Sequence, residues 1–292
     1  MPTPGLSLFG FFSDAEQAIG YLRRDCVPAP GRDSETALAQ EWRDARARIG
    51  PRIAGAGVAD LQPVPVPFQP YLEALLEQAW MRACLGDLEG ASFRLVEIDP
   101  LLCHQLAIDT SRVDRLLEGL GSPTIAALLD VCLPMAHPPL SYDPSPVWPD
   151  STSVIVKSPR NDLRIDRFGV FAAGTDTVLL GARLRLAKPF VHVARVDGRC
   201  YLLNGYHRLF GCRQAGATHA PCVFRDVPDH EAAGLAGTRL ADGQIRFPVG
   251  LLTSDNPPTM AHFTRGRAHR VALRAKSRVV HVSWHQYLVH DE

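Results

Sequence analysis

The 292-residue chain lacks the features that mark most membrane, secreted and metal-binding proteins. No apolar run approaches the roughly 20 residues that span a bilayer, which argues against a transmembrane helix. No basic residue precedes the short apolar stretch at the amino terminus, so we expect no signal peptide and a cytoplasmic location. The seven cysteines are odd in number and widely spaced, and no CxxC occurs. Buried reduced thiols are therefore expected, rather than a disulfide framework or a zinc site.

Common catalytic signatures are missing as well. The chain has no GxxxxGK[ST] phosphate loop, no HExxH and no GxSxG, and GAGVAD at 55–60 does not fit GxGxxG. Of the eleven histidines, His281 and His285 are four residues apart, but they fall in a segment that we predict as a strand. We therefore do not predict a metal site at these two histidines.

Charge is distributed unevenly, although the formal net charge is zero. Residues 1–150 carry 11 Lys+Arg against 20 Asp+Glu, whereas residues 151–292 carry 20 against 11. Only Lys157, Lys188 and Lys276 of those 20 basic residues are lysines, and arginine binds phosphate with two parallel hydrogen bonds. The excess of basic residues favours an anionic ligand on the second half of the chain. A general preference of this sequence for arginine over lysine is an alternative explanation of the arginine content.

Hydrophobic periodicity separates the chain into two halves. Apolar spacing and capping residues predict helices at 13–25, 33–49, 70–86, 110–120 and 123–133, while 93–98 fits a strand or the start of a helix. Six prolines between 134 and 152 indicate a linker. Later segments read as strands at 153–156, 169–172, 177–180, 190–195, 200–203, 221–225 and 278–288, with a helix at 208–215. The fold class is therefore α+β, with a mostly helical first half and a mixed-sheet second half.

The segment after the strand at 200–203 has a composition suited to anion binding. Asn204 and Gly205 form a turn, and Tyr206, His207 and Arg208 open the next helix. Glycine permits a close backbone approach, and the first helical turn offers unpaired N–H groups at the positive end of the helix dipole. Arg208 adds a charge, and His207 can donate a hydrogen bond or move a proton. On residue types alone, an equal alternative is a structural role in which Asn204 caps the helix, His207 packs and Arg208 forms a surface ion pair.

Three stretches in order resemble the ParB/sulfiredoxin superfamily. NGYHR at 204–208, followed by a helix and GATHAPCV at 216–223, resembles its Gly-x-His-Arg turn, helix, glycine and proline-preceded strand. VIVK at 154–157 followed by SPRNDLR at 158–164 resembles the Asn-Pro-x-x-x-Arg loop that opens the domain. Lys188-Pro189 resembles the proline that introduces the next strand. The resemblance covers residues 153–228, about a quarter of the chain.

This resemblance implies a small mixed-sheet domain that binds a nucleoside triphosphate, ATP or CTP, often with Mg²⁺. The family includes CTP-hydrolysing DNA-partition proteins, ATP-dependent sulfinic-acid reductases, free-serine kinases and some nucleases. It implies phosphoryl transfer or nucleotide hydrolysis, with His207 as the acid/base candidate. The residues that it assigns to the nucleotide are Asn204, Gly205, Tyr206, His207, Arg208, Arg160, Asn161 and Arg164. The division that we predict is a helical accessory domain (1–133), a linker (134–152), this domain (153–228) and a β-rich extension (229–292).

The chain departs from particular members of the family. Sulfiredoxins need a cysteine where Tyr206 stands, so a sulfinic-acid reductase is not expected. The kinases carry an acidic residue where Asn204 stands, and Asp162, Asp166 and Asp197 are the substitutes that we considered. No helix-turn-helix is evident after residue 228. The alternative function is therefore a non-catalytic one, as a nucleic-acid-binding or scaffold protein, and Tyr206 either stacks on a base or packs in the core.

Two further segments suggest partners. The stretch at 265–278 is rich in basic residues, and it either follows a nucleic-acid backbone or forms a solvated strand face. Its basic residues are Arg265, Arg267, Arg270, Arg274, Lys276 and Arg278. The helical first half is a candidate surface for a protein partner.

Overall fold

The computed structural model describes the chain except residues 87, 119, 137–146, 151–152, 159–162, 173–177, 187, 237–245, 265, 276–277 and 284–292. The chain divides into two compact units: residues 1–137 with 190–274 form the first unit, and residues 138–189 with 275–292 form the second. This division differs from the predicted one. The segment predicted as a single domain at 153–228 contributes its first part to the second unit and the rest, from Phe190, to the first unit.

Helices occupy both the first half of the chain and the segment after the predicted turn. They are α1 (Ala15–Asp25), α2 (Glu35–Ile49), α3 (Gln69–Glu77), α4 (Ala79–Gly86), α5 (Thr110–Leu117), α6 (Ile125–Cys132), α7 (Tyr206–Gln214) and α8 (Val249–Leu252). Among the described residues, no helix is long and apolar enough to cross a membrane.

Helix starts follow the capping residues. The Asp14 carboxylate accepts a hydrogen bond from the Gln17 N–H at 2.8 Å, and the Ser34 hydroxyl accepts one from the Ala37 N–H at 3.3 Å. The single helix predicted at 70–86 is two helices, because Gln78 has extended backbone angles. This break lets Leu75 and Met81 enter the same buried cluster.

The strands confirm an α+β fold class. They are β1 (Thr3–Ser7), β2 (Leu61–Pro63), β3 (Ser92–Glu97), β4 (Leu102–Cys103), β5 (Ala107–Asp109), β6 (Val147–Asp150), β7 (Ser153–Ser158), β8 (Leu163–Ala172), β9 (Val178–Leu186), β10 (His192–Val196), β11 (Arg199–Asn204), β12 (His219–Asp226), β13 (His269–Leu273) and β14 (Arg278–Ser283).

The main sheet of the first unit combines strands from distant parts of the sequence. Its strand order is β2-β3-β12-β10-β11-β4. Strand β12 pairs with β3 in antiparallel and with β10 in parallel orientation, so the first half of the chain completes the sheet of the later segment. The first half therefore contains strands as well as helices, whereas we predicted it to be mostly helical.

A second sheet of the first unit has the order β13-β1-β5. Its central strand β1 contains Pro4 and Gly5, residues that rarely occur inside strands. Gly5 is needed because a side chain there would place its Cβ 2.9 Å from the Ile108 carbonyl oxygen and 2.6 Å from Leu273 Cδ1. The close approach of the neighbouring strands thus explains why glycine occurs in a strand that the residue types did not predict.

The second unit contains a sheet with the strand order β14-β7-β6 and a separate antiparallel pair, β8 and β9. Pairing of β8 with β9 confirms the hairpin predicted around Gly174. Strand β14 pairs with β7 from Arg278↔Ser158 to Ser283↔Ser153.

Candidate functional site

Hairpin β10–β11 leads the chain into the predicted turn. The two strands are antiparallel, with Val196 opposite Arg199. Asp197 and Gly198 between them have φ of 47° and 75°, and two successive positive φ values match the twist of tight hairpins. The Asp-Gly signal therefore predicted this hairpin correctly.

Gly205 joins β11 to α7 in the left-handed conformation, with φ 99° and ψ 17°. A Cβ at this position would lie 2.8 Å from Val191 Cγ2 and 2.9 Å from Val191 Cα. Val191 is fixed in place, since its N–H donates to the Cys132 carbonyl at 2.9 Å and its carbonyl accepts from the Val223 N–H at 2.9 Å. Both the backbone angle and the packing require glycine here.

One alternative from the sequence was that the Asn204 side chain caps helix α7. The structure shows a different role. Gly205 is the N-cap residue, and no side chain makes the cap hydrogen bond. The Asn204 Nδ2 donates instead to the Phe190 carbonyl at 2.9 Å. Asn204 therefore ties the end of β11 to the start of the neighbouring segment.

Tyr206 is a buried core residue, with 3% of its surface exposed. Its hydroxyl accepts a hydrogen bond from the His104 N–H at 3.0 Å, contacts the Leu202 carbonyl oxygen and lies 3.0 Å from His104 Nδ1. The two rings meet edge to face at 5.5 Å. Of the two roles that we considered for Tyr206, packing in the core fits this environment and base stacking does not.

His207 is held by the start of α5. Its Nε2 accepts a hydrogen bond from the Asp109 N–H at 3.1 Å, so the proton of the neutral ring resides on Nδ1. Burial, reinforced by the positive charges of Arg112 and Arg208, lowers the pKa of His207 to about 3, although Asp109 opposes the shift. The imidazole is therefore neutral at physiological pH, and its Nε2 lone pair is already engaged.

Arg208 and Arg112 bring two positive charges to His207. Arg208 lies in the first turn of α7 and is half-buried, and Arg112 lies in the first turn of α5 and is exposed. Both guanidinium groups act on the pKa of His207, and Arg208 also acts on the Cys132 thiol. Sequence reasoning missed Arg112, because nothing in the local pattern relates residue 112 to residue 208.

The remaining predicted nucleotide residues belong to the second unit. Arg160 and Asn161 lie outside the described residues, and Arg164 lies in β8, opposite Arg185 of β9. Asp162 is also outside the described residues, while Asp166 lies in β8. The turn at 204–208 belongs to the first unit.

The basic stretch at 265–278 is divided between the units. Arg270 lies in β13 of the first unit and Arg278 begins β14 of the second. Arg267 donates to the Pro51 carbonyl at 3.4 Å, whereas Arg270 and Arg274 are exposed. Arg265 and Lys276 lie outside the described residues.

A cleft of about 560 Å³ lies elsewhere on the first unit. It is lined in part by Gly5, Thr110, Asp114, Phe210, Arg213 and Arg270. None of the residues at 204–208 lines it. Within the described part of the chain, no group of three or more His, Cys, Asp and Glu side chains could hold a metal ion.

The buried histidines predict an acid-sensitive fold. Burial lowers the pKa of both His104 and His207 to about 3, against an ordinary value of 6.5. The unfolded chain thus binds more protons than the folded chain between pH 6.5 and 3, so the contribution to stability is complete above pH 6.5 and is lost as the pH falls toward 3. We expect these two histidines to lower the free energy of unfolding by about 4 kcal/mol between pH 7 and pH 5, before most carboxylates titrate.

Urea titrations at pH 7, 6 and 5 measure this decline. His207→Gln, whose amide oxygen can still accept from the Asp109 N–H, should remove about half of it. A free energy of unfolding that stays constant from pH 7 to pH 5 would contradict the expectation.

Comparison with known proteins gives no identification. No protein-family model matches the chain. No curated protein and no solved structure matches it either.

Proposed function

We propose that the protein binds a nucleoside triphosphate, ATP or CTP with Mg²⁺, at the turn formed by residues 204–208, and uses it for phosphoryl transfer or hydrolysis. The supporting observation is the order of elements around Gly205: hairpin β10–β11, a left-handed glycine, helix α7, Gly216 with φ 95°, and strand β12 parallel to β10. Within it, the succession of strand, glycine turn, helix, glycine and strand is what the ParB/sulfiredoxin resemblance implies. A cytoplasmic location, where these nucleotides are abundant, is part of the same proposal.

The electrostatics of the turn support an anionic ligand. The hydrogen bond from the Asp109 N–H to His207 brings the first turn of α5 against the first turn of α7. The positive ends of two helix dipoles therefore share one region with the Arg112 and Arg208 side chains. Such a region attracts phosphate through the guanidinium groups and the N–H groups of the first turn of α7, since the Asp109 carboxylate already accepts from the Ser111 and Arg112 N–H groups of α5. Arg208 would bind phosphate directly, and Arg112 would extend the positive surface.

The Mg²⁺ ion would accompany the nucleotide. Magnesium in nucleotide sites commonly keeps several waters and uses one or two carboxylates besides the phosphates. The Asp109 carboxylate is the acidic group beside His207, but it already accepts from the Ser111 N–H at 3.0 Å, the Arg112 N–H at 3.3 Å and the Thr3 hydroxyl at 3.1 Å. Its role is therefore to fix α5, and the phosphates would be the main ligands of the ion.

A second candidate function is nucleotide or nucleic-acid binding without catalysis, as in a scaffold protein. The neutral His207 ring, with Nε2 engaged by the Asp109 N–H, favours it, because a general acid/base works best with a pKa near the operating pH. A phosphate-release assay separates the candidates. Release from a bound nucleotide that persists in His207→Gln supports catalysis through other groups, and no release from a bound nucleotide supports the non-catalytic function.

Nucleotide binding itself is tested by thermal shift with ATP, CTP, GTP and UTP, with and without Mg²⁺. At 100 times its dissociation constant a ligand adds about 2.7 kcal/mol, which raises the melting temperature by roughly 5–10 °C. Arg208→Ala should abolish most of this rise and Arg112→Ala should reduce it, since both remove positive charge beside His207.

Arg115→Ala is the matched control, because Arg115 is also exposed on α5 but lies in its last turn. It should respond to nucleotide as the wild type does. An Arg208→Ala protein that binds nucleotide as tightly as the wild type would refute the assignment.

A further inference from the structure

Several of the seven cysteines are fully buried in the core of the first unit. Cys132, Cys200, Cys212 and Cys222 are each at most 1% exposed. Among them, Cys132 and Cys212 make direct contact, with their Sγ atoms 3.6 Å apart.

The contact joins two helices that are remote in sequence. Cys132 is the last residue of α6, and Cys212 lies in α7, 80 residues later. A disulfide bond is about 2.05 Å long, so the two sulfur atoms have to approach by roughly 1.5 Å to form one. The α6 end is already attached to the neighbouring strand segment, since the Cys132 carbonyl accepts from the Val191 N–H.

We propose that Cys132 and Cys212 are a redox modification site, at which a hydroperoxide oxidises the two thiols to a disulfide that cross-links α6 to α7. In the first step the Cys132 sulfur takes one oxygen from hydrogen peroxide, giving a sulfenic acid and releasing water. In the second step the Cys212 sulfur attacks the sulfenic sulfur, the S–S bond forms and a second water leaves. Two electrons pass from the thiols to the peroxide, and a dithiol reverses the change.

Arg208 partly offsets the low reactivity of this buried pair. Arg208 and Cys212 are four residues apart on α7 and share one face of the helix. The hydrogen bond with Cys212 and burial raise the pKa of the Cys132 thiol, while the positive charge of Arg208 works in the opposite direction. Because the thiolate is the reactive form, oxidation is slower here than at the half-buried Cys84 and responds to sustained rather than brief exposure.

Mass spectrometry of the full-length protein tests the proposal. The protein is exposed to hydrogen peroxide, remaining thiols are blocked, and trypsin is added. Cys132 then lies in the fragment 116–157, Cys212 in 209–213 and Cys222 in 214–225. These three thiols are therefore on separate peptides. The expected result is a cross-link between 116–157 and 209–213, with the loss of two hydrogens, which dithiothreitol reverses.

The matched variants are Cys212→Ala, which should eliminate the cross-link, and Cys222→Ala, which should retain it. Recovery of Cys132 and Cys212 as thiols after prolonged exposure, well after Cys84 is fully oxidised, would overturn the proposal. A cross-link of 116–157 to 214–225 in place of 209–213 would overturn it as well. The wild-type measurement decides by itself if a variant fails to fold.

Discussion

Replacing Gly205 by alanine lowers the free energy of unfolding of the first unit by about 2–5 kcal/mol. The left-handed backbone, with φ 99°, costs about 1–2 kcal/mol once a Cβ is present. The added atom also lies 2.8 Å from Val191 Cγ2 and 2.9 Å from Val191 Cα, and overpacking of this kind costs about 1–3 kcal/mol. Because one of these contacts is to backbone, a rotation of the Val191 side chain cannot relieve it. Urea unfolding followed by circular dichroism measures the loss.

Gly216→Ala is the matched control for this effect. Gly216 has nearly the same φ, 95°, but a Cβ there meets no atom within 4 Å. Its substitution should therefore lower the free energy of unfolding only by the cost of the left-handed backbone, about 1–2 kcal/mol. Equal losses for Gly205→Ala and Gly216→Ala would show that contact with Val191 contributes nothing and would contradict the packing argument.

Tyr206→Phe is expected to cost about 2 kcal/mol while leaving nucleotide affinity unchanged. The substitution keeps the ring but removes the hydroxyl that accepts from the His104 N–H and contacts the Leu202 carbonyl. The His104 N–H is then left buried without its partner, and an unsatisfied buried donor costs about 1–3 kcal/mol. Urea unfolding and a nucleotide titration on the same protein provide the two measurements.

Tyr71→Phe is the control for removing a hydroxyl as such. The Tyr71 hydroxyl donates to the Leu133 carbonyl at 2.9 Å in a partly buried position, so the loss should be about 1 kcal/mol. A Tyr206→Phe protein of wild-type stability but weakened nucleotide affinity would mean that the Tyr206 hydroxyl contacts the nucleotide and not the core.

Local signals in the sequence identified the elements that local interactions determine. Asp197-Gly198 is sufficient for the β10–β11 hairpin, because two residues of positive φ form its turn. The helices predicted from 13 and from 33 begin two residues later, at Ala15 and Glu35, because Asp14 and Ser34 are the residues whose side chains accept from a nearby N–H. The strand β1 was missed for the opposite reason: Gly5 is suited to it because Ile108 and Leu273 approach so closely, which is a contact with distant parts of the chain.

The candidate site was predictable only where its residues are consecutive. The pattern placed a strand, a glycine and a helix in this order, but the helix begins at Tyr206, two residues before the predicted start, and Gly205 alone joins it to β11. Neither the engagement of His207 by the Asp109 N–H nor the nearness of Arg112 could be foreseen, because both depend on α5 packing against α7 from about 100 residues earlier. The burial of Tyr206 depends in the same way on His104.

The pairing of β12 with β3 has a consequence for the order of events during synthesis. Glu97 of β3 lies opposite His219 of β12, so the earlier strand leaves the ribosome roughly 120 residues before its partner exists. At about 5–20 residues per second, that interval lasts on the order of 6–25 s. Throughout this time the β12-facing edge of β3 and buried side chains such as Leu95 and Val96 have no sheet to join. The unpaired edge of β3 is therefore open to aggregation until β12 is made, and a fragment that begins at residue 153 would lack the strand that completes its sheet.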